Sequence, residues 1–419
     1  MRASSNNPQG HRVGSLGLPA QSPAEAPPPR PFSRHPMPGP LRKVARRARQ
    51  LRTPRLSSYA PVSMLELPDH TPSRACIPAI DFHTHLGRWL SDSGGWMEPD
   101  VLGLLDLMDT CNVEAMVNLD GRWGPELEEN LDRYDRAHPG RFFSFCHVDW
   151  RLLDKPHGDE RLAESLRLSI TRGARGLKIW KDLGIKVTAR GRRILLNDPL
   201  LTPIWTAAGE LDVPVLIHVA DPVAFFQPVD RHNERLEELL RTPKSSRSRE
   251  GLTEFHCLFD SFEEAVASHP ATRFVAAHGL HVENLSRVSG LLDRYPNLFI
   301  DIAGRAPEFG RQPRTAGALL LRHADRILFG TDIFPTRSST HQVYFRLLET
   351  DDEAFAYSSD PIPPNGRWPI YGLDLPEHAL VQIYRDNARQ LLGLGQDPTE
   401  HRPRTCSGIR PDLAQVTHR

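Results

Sequence analysis

The sequence predicts an α/β chain folded as a closed (β/α)8 barrel, the TIM-barrel architecture. Three observations predict it. Short apolar runs alternate with longer amphipathic ones, the pattern of parallel strands joined by helical crossovers. Eight such runs fall within residues 78–332, about the length one barrel needs. No G-x-G-x-x-G follows the first run, which argues against an open doubly wound sheet.

The strand candidates come first. They are P-A-I-D-F-H-T-H (78–85), V-E-A-M-V-N-L-D (113–120), F-F-S-F-C-H-V-D (142–149) and A-R-G-L-K-I-W (174–180). V-P-V-L-I-H-V (213–219), T-R-F-V-A-A-H (272–278), N-L-F-I-D-I-A (297–303) and R-I-L-F-G-T-D (326–332) complete the set. Helices are expected over Pro99–Cys111, Pro203–Leu211, Ser261–Ser268, Val282–Tyr295 and Arg314–His323, where apolar residues recur at three-to-four spacing. Three strands are announced by one phrase: A-H-P-G-R-F-F, S-H-P-A-T-R-F and R-Y-P-N-L-F. In each, a proline that cannot continue a helix precedes the next strand. Residues 220–258 and 351–375 exceed a minimal barrel and read as long loops, which commonly cover an active-site mouth. A closing helix is expected from Glu377 to Leu392.

The flanks read differently. Residues 1–75 form an Arg/Pro-rich extension, expected to be disordered because proline removes donors and like charges repel. Residues 1–56 hold ten Arg, Lys43 and one acid, Glu25, a net charge of about +10 in a chain of net charge +0. An organelle-targeting leader, a plain tail and a start codon assigned too far upstream all fit that composition. The barrel is expected over 76–395 and a loose tail over 396–419. The body, at about −10, gives no reason for nucleic-acid binding. Five widely spaced cysteines without C-x-x-C argue against a disulfide framework and fit a cytoplasmic protein. No apolar run of about 18 residues exists, so no membrane association is expected. A homo-oligomer is compatible with the chain.

In a barrel of this kind the active site lies at the C-terminal strand ends. Strand one ends in His83 and His85, strand five in His218, strand six in His278 and strand eight in Asp332. Residues two apart share a face. His83 and His85 therefore point together into the barrel, His218 goes with Leu216, His278 with Phe274 and Ala276, and Asp332 with Leu328 and Gly330. Gly330 leaves room beside strand one. Imidazoles with a carboxylate suit zinc, manganese or iron. Such an ion lowers the pKa of a bound water toward neutrality. Each residue alone has an ordinary explanation, a helix cap or a loop hydrogen bond; their joint placement at one end of the barrel is the signal.

The set D-F-H-T-H, G-A-R-G-L-K-I-W, L-I-H-V-A-D, A-A-H-G and F-G-T-D resembles the amidohydrolase superfamily. It is most similar to the amidohydrolase-related branch (amidohydrolase 2) with the aminocarboxymuconate-semialdehyde decarboxylase-like enzymes. I-Y-R-D-N-A-R-Q-L-L-G (383–393) resembles that branch's last helix, and the likeness spans residues 77–393. The resemblance implies one divalent metal ion, foremost Zn2+ with Mn2+ or Fe2+ as alternatives, on His83, His85, His218 and Asp332. It places His278 beside the bound water. It also implies a fork at Lys178, which is carboxylated and bridges two metals in binuclear relatives but not in the single-metal branch. There it would pair with a carboxylate or bind an anionic substrate.

Weaker candidates surround this set. Asp81 is placed on the His83 face one layer deeper, to orient a ligand or pair with Lys178. Arg305, after strand seven beside Asp301, suits a substrate carboxylate or a surface ion pair. Arg88, Trp89 and Trp180 suit the mouth or plain core filling. His147 and Asp149 lie behind the ligands, and His256 and His281 sit on loops. The expected function is a metal-dependent hydrolase of a small organic amide, ester or lactone, with Asp332 and His278 catalytic. A non-oxidative decarboxylase of a small carboxylic acid is the first alternative, and a non-catalytic ligand-binding barrel the second.

Overall fold

The computed structural model describes residues 61–332 and 338–395. The expectations for residues 1–60 and for the tail from residue 396 lie outside the described residues. Contacts divide the chain into Met1–Leu65 and Glu66–Arg419. The barrel's expected start at Cys76 falls inside the second unit, because His70 N donates to Asp352 (2.8 Å) and Ala75 N to the Cys111 carbonyl (3.0 Å).

All eight strands form, each shorter than its apolar run. They are β1 (Ala79–Thr84), β2 (Val113–Asn118), β3 (Phe142–Ser144) and β4 (Leu177–Ile179). Then come β5 (Val215–Ile217), β6 (Phe274–Ala276), β7 (Leu298–Asp301) and β8 (Ile327–Leu328). Sequential neighbours pair in parallel within two sheets, β1–β3 and β4–β8. Two links close these sheets into a cylinder. Cys146, just past β3, bridges to Leu177 of β4. Phe82 N donates to the Phe329 carbonyl and Asp332 N to the His83 carbonyl, both at 2.9 Å, joining β1 to the segment after β8.

Alternation sorts the strand residues into two cores. Ile80, Phe82, Ala115, Val117, Phe143, Leu216, Val275, Phe299 and Leu328 fill the interior. Ala79, Met116, Phe142, Val215, Ile217, Phe274, Ala276, Leu298, Ile300 and Ile327 pack outward on the helices. At about 25 cal/mol per Å2, burial of these side chains is the dominant favourable term holding the barrel together.

The helices are α1 (Val101–Cys111), α2 (Gly124–Asn130), α3 (Gly158–Arg172) and α4 (Thr202–Glu210). They continue as α5 (Gly251–Ser268), α6 (Leu285–Arg294), α7 (Pro313–Arg322) and α8 (Ser338–Glu349). Asp100 caps α1 by accepting from Gly103 N at 3.0 Å, and α1 ends on left-handed Asn112 (φ 59°). α8 lies against α1, which completes the outer ring. α5 begins ten residues earlier than its expected start, inside the stretch read as a loop. Phe255, Leu258, Phe259 and Phe262 carry the buried stripe that extends it. The closing segment Glu377–Leu391 forms with a π-helical turn over Gln382–Asp386. Leu391 and Leu392 join the interior core, Arg389 bonds Glu114 at the start of β2 (3.0 Å), and Arg273 before β6 donates to the Gln390 carbonyl (3.3 Å). The segment therefore caps the N-terminal end of the cylinder and leaves the C-terminal end for the site. The two long loops meet each other, Arg241 donating to the Pro364 carbonyl (2.9 Å) and Arg367 pairing with Glu237 (2.7 Å). Among the described residues no helix is long and apolar enough to cross a membrane.

Candidate metal centre

The site residues lie where hydrogen-bonded strand gives way to loop. His85 follows β1, His218 follows β5, and His278 and Asp332 stand a little beyond β6 and β8. His278 and Asp332 have left-handed backbone, φ 62° and 56°, a conformation non-glycine residues hold only where the surroundings impose it.

Simple alternation mispredicts two strands. The face of β6 that carries Phe274 and Ala276 is the outer one, so alternation would send His278 outward. The left-handed step turns its ring inward instead, to 4.8 Å from the His83 ring and 4.3 Å from the His218 ring. On β1, Asp81 pairs with Met116 and Thr84 with Asn118, one residue more on β1 than on β2. That bulge breaks the period of two. It leaves Phe82 and His83 both inward and turns Asp81 outward. Asp81 accepts from Thr331 N (3.0 Å) and Thr331 Oγ1 (2.6 Å) and contacts His341 Nε2 (3.1 Å) on α8. The expectation that it shares the His83 face or pairs with Lys178 is corrected on this ground. On β5 and β8 alternation holds, and a Cβ on Gly330 would stand 2.9 Å from that of His83.

The imidazoles are oriented from behind. His83 Nδ1 lies 2.8 Å from Asp301 Oδ2, and His85 Nδ1 lies 2.7 Å from Asp120 Oδ1. A carboxylate only accepts, so each Nδ1 carries a proton and each Nε2 is left for a second proton or a metal. Both Nε2 atoms face Asp332 Oδ1, at 3.5 and 3.3 Å. His278 Nδ1 lies 2.8 Å from the Ala303 carbonyl and must donate to it. Its Nε2 then accepts from His218 Nδ1 at 3.2 Å, which leaves a lone pair on His218 Nε2. The Nε2 atoms of His83 and His218 are buried without a hydrogen-bond partner. His83, His278 and Asp332 offer ligand atoms within 4.8 Å of one another.

Charge follows the same layout. Burial, with the charges of His278, Lys181, Lys178 and Arg305, drives His218 well below its usual pKa. Burial also lowers His278 to about 3, against the pull of Asp332. Burial opposes a cation at His85, but Asp120 and Asp332 outweigh it and raise the group to about 9. For Asp332, burial favours the acid, yet the surrounding His83, His85 and His278 hold its carboxyl far below the usual range. A neutral His218, an exchangeable proton on His85 and an ionised Asp332 suit a divalent transition metal.

The remaining candidates separate. Lys178 is buried, its Nζ has no hydrogen-bond partner, and burial lowers it to about 8 against the nearby Asp332, Asp301 and Asp120. Trp180 touches the rings of His85 (5.8 Å) and His218 (5.6 Å). Arg305 donates to the Gly304 carbonyl (2.9 Å) and acts on His218 and His278 through its charge. Arg88 is not brought to the centre: it pairs with Glu129 and lies 4.7 Å over Trp96. His147 stands behind Arg122, and Asp149 pairs with Arg151 (2.7 Å). Asp120 is the functional residue that sequence reasoning missed. Its signal was its place at the end of the second strand run, where an aspartate more often caps a helix.

The sequence matches the amidohydrolase family over residues 124–394, and the chain belongs to that family of metal-dependent enzymes. The matched segment starts after β1, so the His83–His85 pair lies outside it. Among solved structures, the chain is similar to 2,6-dihydroxybenzoate decarboxylase from Rhizobium, with 18% identity over 76% of this chain and 99% of that one, TM-score 0.48. It is similar to a Polaromonas dihydroxybenzoic acid decarboxylase with bound manganese and 2-nitroresorcinol, with 15% identity over 77% and 98%, TM-score 0.49. A zinc-bound amidohydrolase from Burkholderia multivorans shows 15% identity over 76% and 99%, TM-score 0.44. No curated protein matches the chain.

Proposed function

We propose that this chain is a metal-dependent hydrolase of a small amide, ester or lactone, with one divalent ion, foremost zinc, held by His83, His85, His218 and Asp332. The observation that carries the reading is the pair of buried, unpartnered Nε2 atoms on His83 and His218, next to an ionised Asp332. When bound, such an ion supplies Lewis acidity and makes water nucleophilic near neutral pH. Asp332, 25% exposed at its side chain and kept ionised, takes up the proton of the attacking water. His278 is neutral, with Nδ1–H committed to Ala303 and its Nε2 accepting from His218 Nδ1, so it fixes the His218 tautomer that leaves His218 Nε2 for the ion. Lys178 and Arg305 add positive charge near His218, which would favour a developing oxyanion.

A carboxy-lyase acting on a small carboxylic acid is the second reading. What favours it is the same pair of cations, which would hold a carboxylate beside the centre. Metal analysis of protein purified without chelator should give about one transition-metal ion per chain. A content far below one sinks both readings, and a content near two moves Lys178 into the ligand set. A panel of lactones, esters and carboxylic acids separates the two reactions, ring opening or ester cleavage supporting the hydrolase and carbon dioxide release the lyase. Asp332→Asn should lower turnover at least about 100-fold with the thermal midpoint little changed. Retained turnover would remove its role.

A further inference from the structure

Arg122 belongs to no part of the metal centre, yet it is held with unusual completeness. Its backbone is left-handed, φ 60°, and non-glycine strain of this kind gathers at functional sites. His147 Nε2 lies 2.7 Å from the Leu119 carbonyl, so that nitrogen carries the proton and Nδ1 can only accept. Arg122 Nη1 donates to it at 3.1 Å. The guanidinium lies over two indoles, 4.2 Å from the Trp123 ring centre and 4.8 Å from that of Trp89. Glu126 stays 3.7 Å from Nε, which is buried and has no hydrogen-bond partner. These contacts fix the direction of the guanidinium and leave Nη2 without a hydrogen bond among the described residues.

The same residue borders a cleft of about 400 Å3, within the range of small-molecule pockets. Trp89, Trp123, Trp150 and Trp180 line it, together with Arg122 and Lys178. Lys178 Nζ is a second buried cation there without a hydrogen-bond partner. Two carboxylates share the cleft. Asp149 is taken by Arg151 through contacts of 2.7 to 3.1 Å, so Asp182 is the other carboxylate of the cleft, while Glu126 stands 3.7 Å from Arg122 and Asp332, Asp301 and Asp120 lie toward Lys178. Trp180 also touches His85 and His218, and Lys178 lies near Asp332, so the cleft and the metal centre share this wall. Indole faces select a flat apolar body, and an arginine fork selects a carboxylate.

We propose that this cleft is a substrate subsite in which Arg122, positioned by His147, seats a carboxylate that a small flat substrate carries away from its reacting carbon. The inference rests on the metal-dependent reading for the position of that carbon, but its residues are distinct from the ligand set. It applies to hydrolysis and to carboxy-lyase chemistry alike.

Benzoate and its neutral match benzamide serve as probes, read by tryptophan fluorescence on the full-length protein with its metal and after chelation. Benzoate should bind in both preparations, and about tenfold or more tightly than benzamide. Arg122→Met should abolish that preference, and Arg122→Lys should keep part of it. Metal content measured on the same samples judges the metal reading separately, since the subsite test does not depend on it. The subsite is overturned by any of four results: no benzoate binding, equal binding of the two probes, unaltered binding by Arg122→Met, or loss of benzoate on chelation. The last would place the carboxylate on the ion. If Arg122→Met does not fold, crystals of the natural protein soaked in 4-bromobenzoate decide it. A carboxylate on Arg122 supports the subsite, and one seated elsewhere overturns it.

Discussion

Asp301 and Asp120 choose which nitrogen His83 and His85 present, and their different surroundings make different predictions. Asp301 Oδ1 already accepts from His278 N (2.7 Å) and Ala303 N (3.0 Å), while Oδ2 faces His83 Nδ1. In Asp301→Asn the oxygen stays with the two amides, so the new NH2 points at His83 Nδ1–H. His83 must then change tautomer and place its proton on Nε2, the atom left for the metal. Asp120 is less constrained, because its Oδ2 has no hydrogen-bond partner. An asparagine there can turn its oxygen to His85 and keep the tautomer. Asp301→Asn should therefore weaken zinc binding about 100-fold and Asp120→Asn nearer 10-fold, read by competition with a chromophoric chelator. Equal affinities for both variants and the natural protein would remove these carboxylates from the site. The candidate ligands stand out in the sequence because each ends an apolar run. Their carboxylate partners do not, since a hydrogen bond across two strands leaves no mark on spacing.

At the scale of elements, the eight strands and the order of their site residues could be read from alternation, apolar runs and proline stops. The direction of each side chain could not. His278 and Asp81 depart from the period of two through a left-handed residue and a bulge, both fixed by tertiary packing. Helices α2, α3 and α8 also went unread, and α8 carries His341, the partner of Asp81. Gly330, by contrast, was legible as a gap beside β1, and the packing shows how tight it is. A Cβ there would stand 2.9 Å from His83 Cβ, 3.3 Å from His83 N and 3.3 Å from Ala303 Cβ. Two of these neighbours are Cβ atoms and the third is backbone, so none yields by a rotamer change. Gly330→Ala should cost about 1–3 kcal/mol and displace His83, seen as a lower thermal midpoint together with lower metal occupancy. A variant with natural midpoint and full occupancy would show that β1 and β8 can part without cost.

For the whole molecule, the mouth of the barrel concentrates imidazoles that folding keeps uncharged, and this sets its response to acid. Burial holds His147 and His278 near 3 and His281 near 4, and it pushes His218 well below its ordinary value. An unfolded chain protonates all four near 6.5. Below that pH the unfolded state binds more protons, so the stability these groups contribute is present above about 6.5 and drains as pH falls. Buried acids work the other way. Asp135 is raised to about 6 and Glu349 to about 7 by burial, so their contribution is present at low pH and lost as pH rises through those values. His85, raised to about 9, has completed its gain before the imidazoles begin to lose theirs. Asp332 and Asp301, both depressed, fail only below the ordinary carboxylate range. Burial also lowers His323 and raises Asp182 and Glu238, so the imidazoles outnumber the acids by one, a net loss on the order of 1 kcal/mol per pH unit. The urea midpoint of chelated protein should accordingly fall between pH 7 and pH 5. Protein carrying its metal should fall more steeply still, because protons then also compete for the ligating nitrogens. A chelated midpoint that rises over this range would mean that the imidazoles at the mouth are charged in the folded state, contrary to the hydrogen-bond order that leaves His218 Nε2 open for a metal.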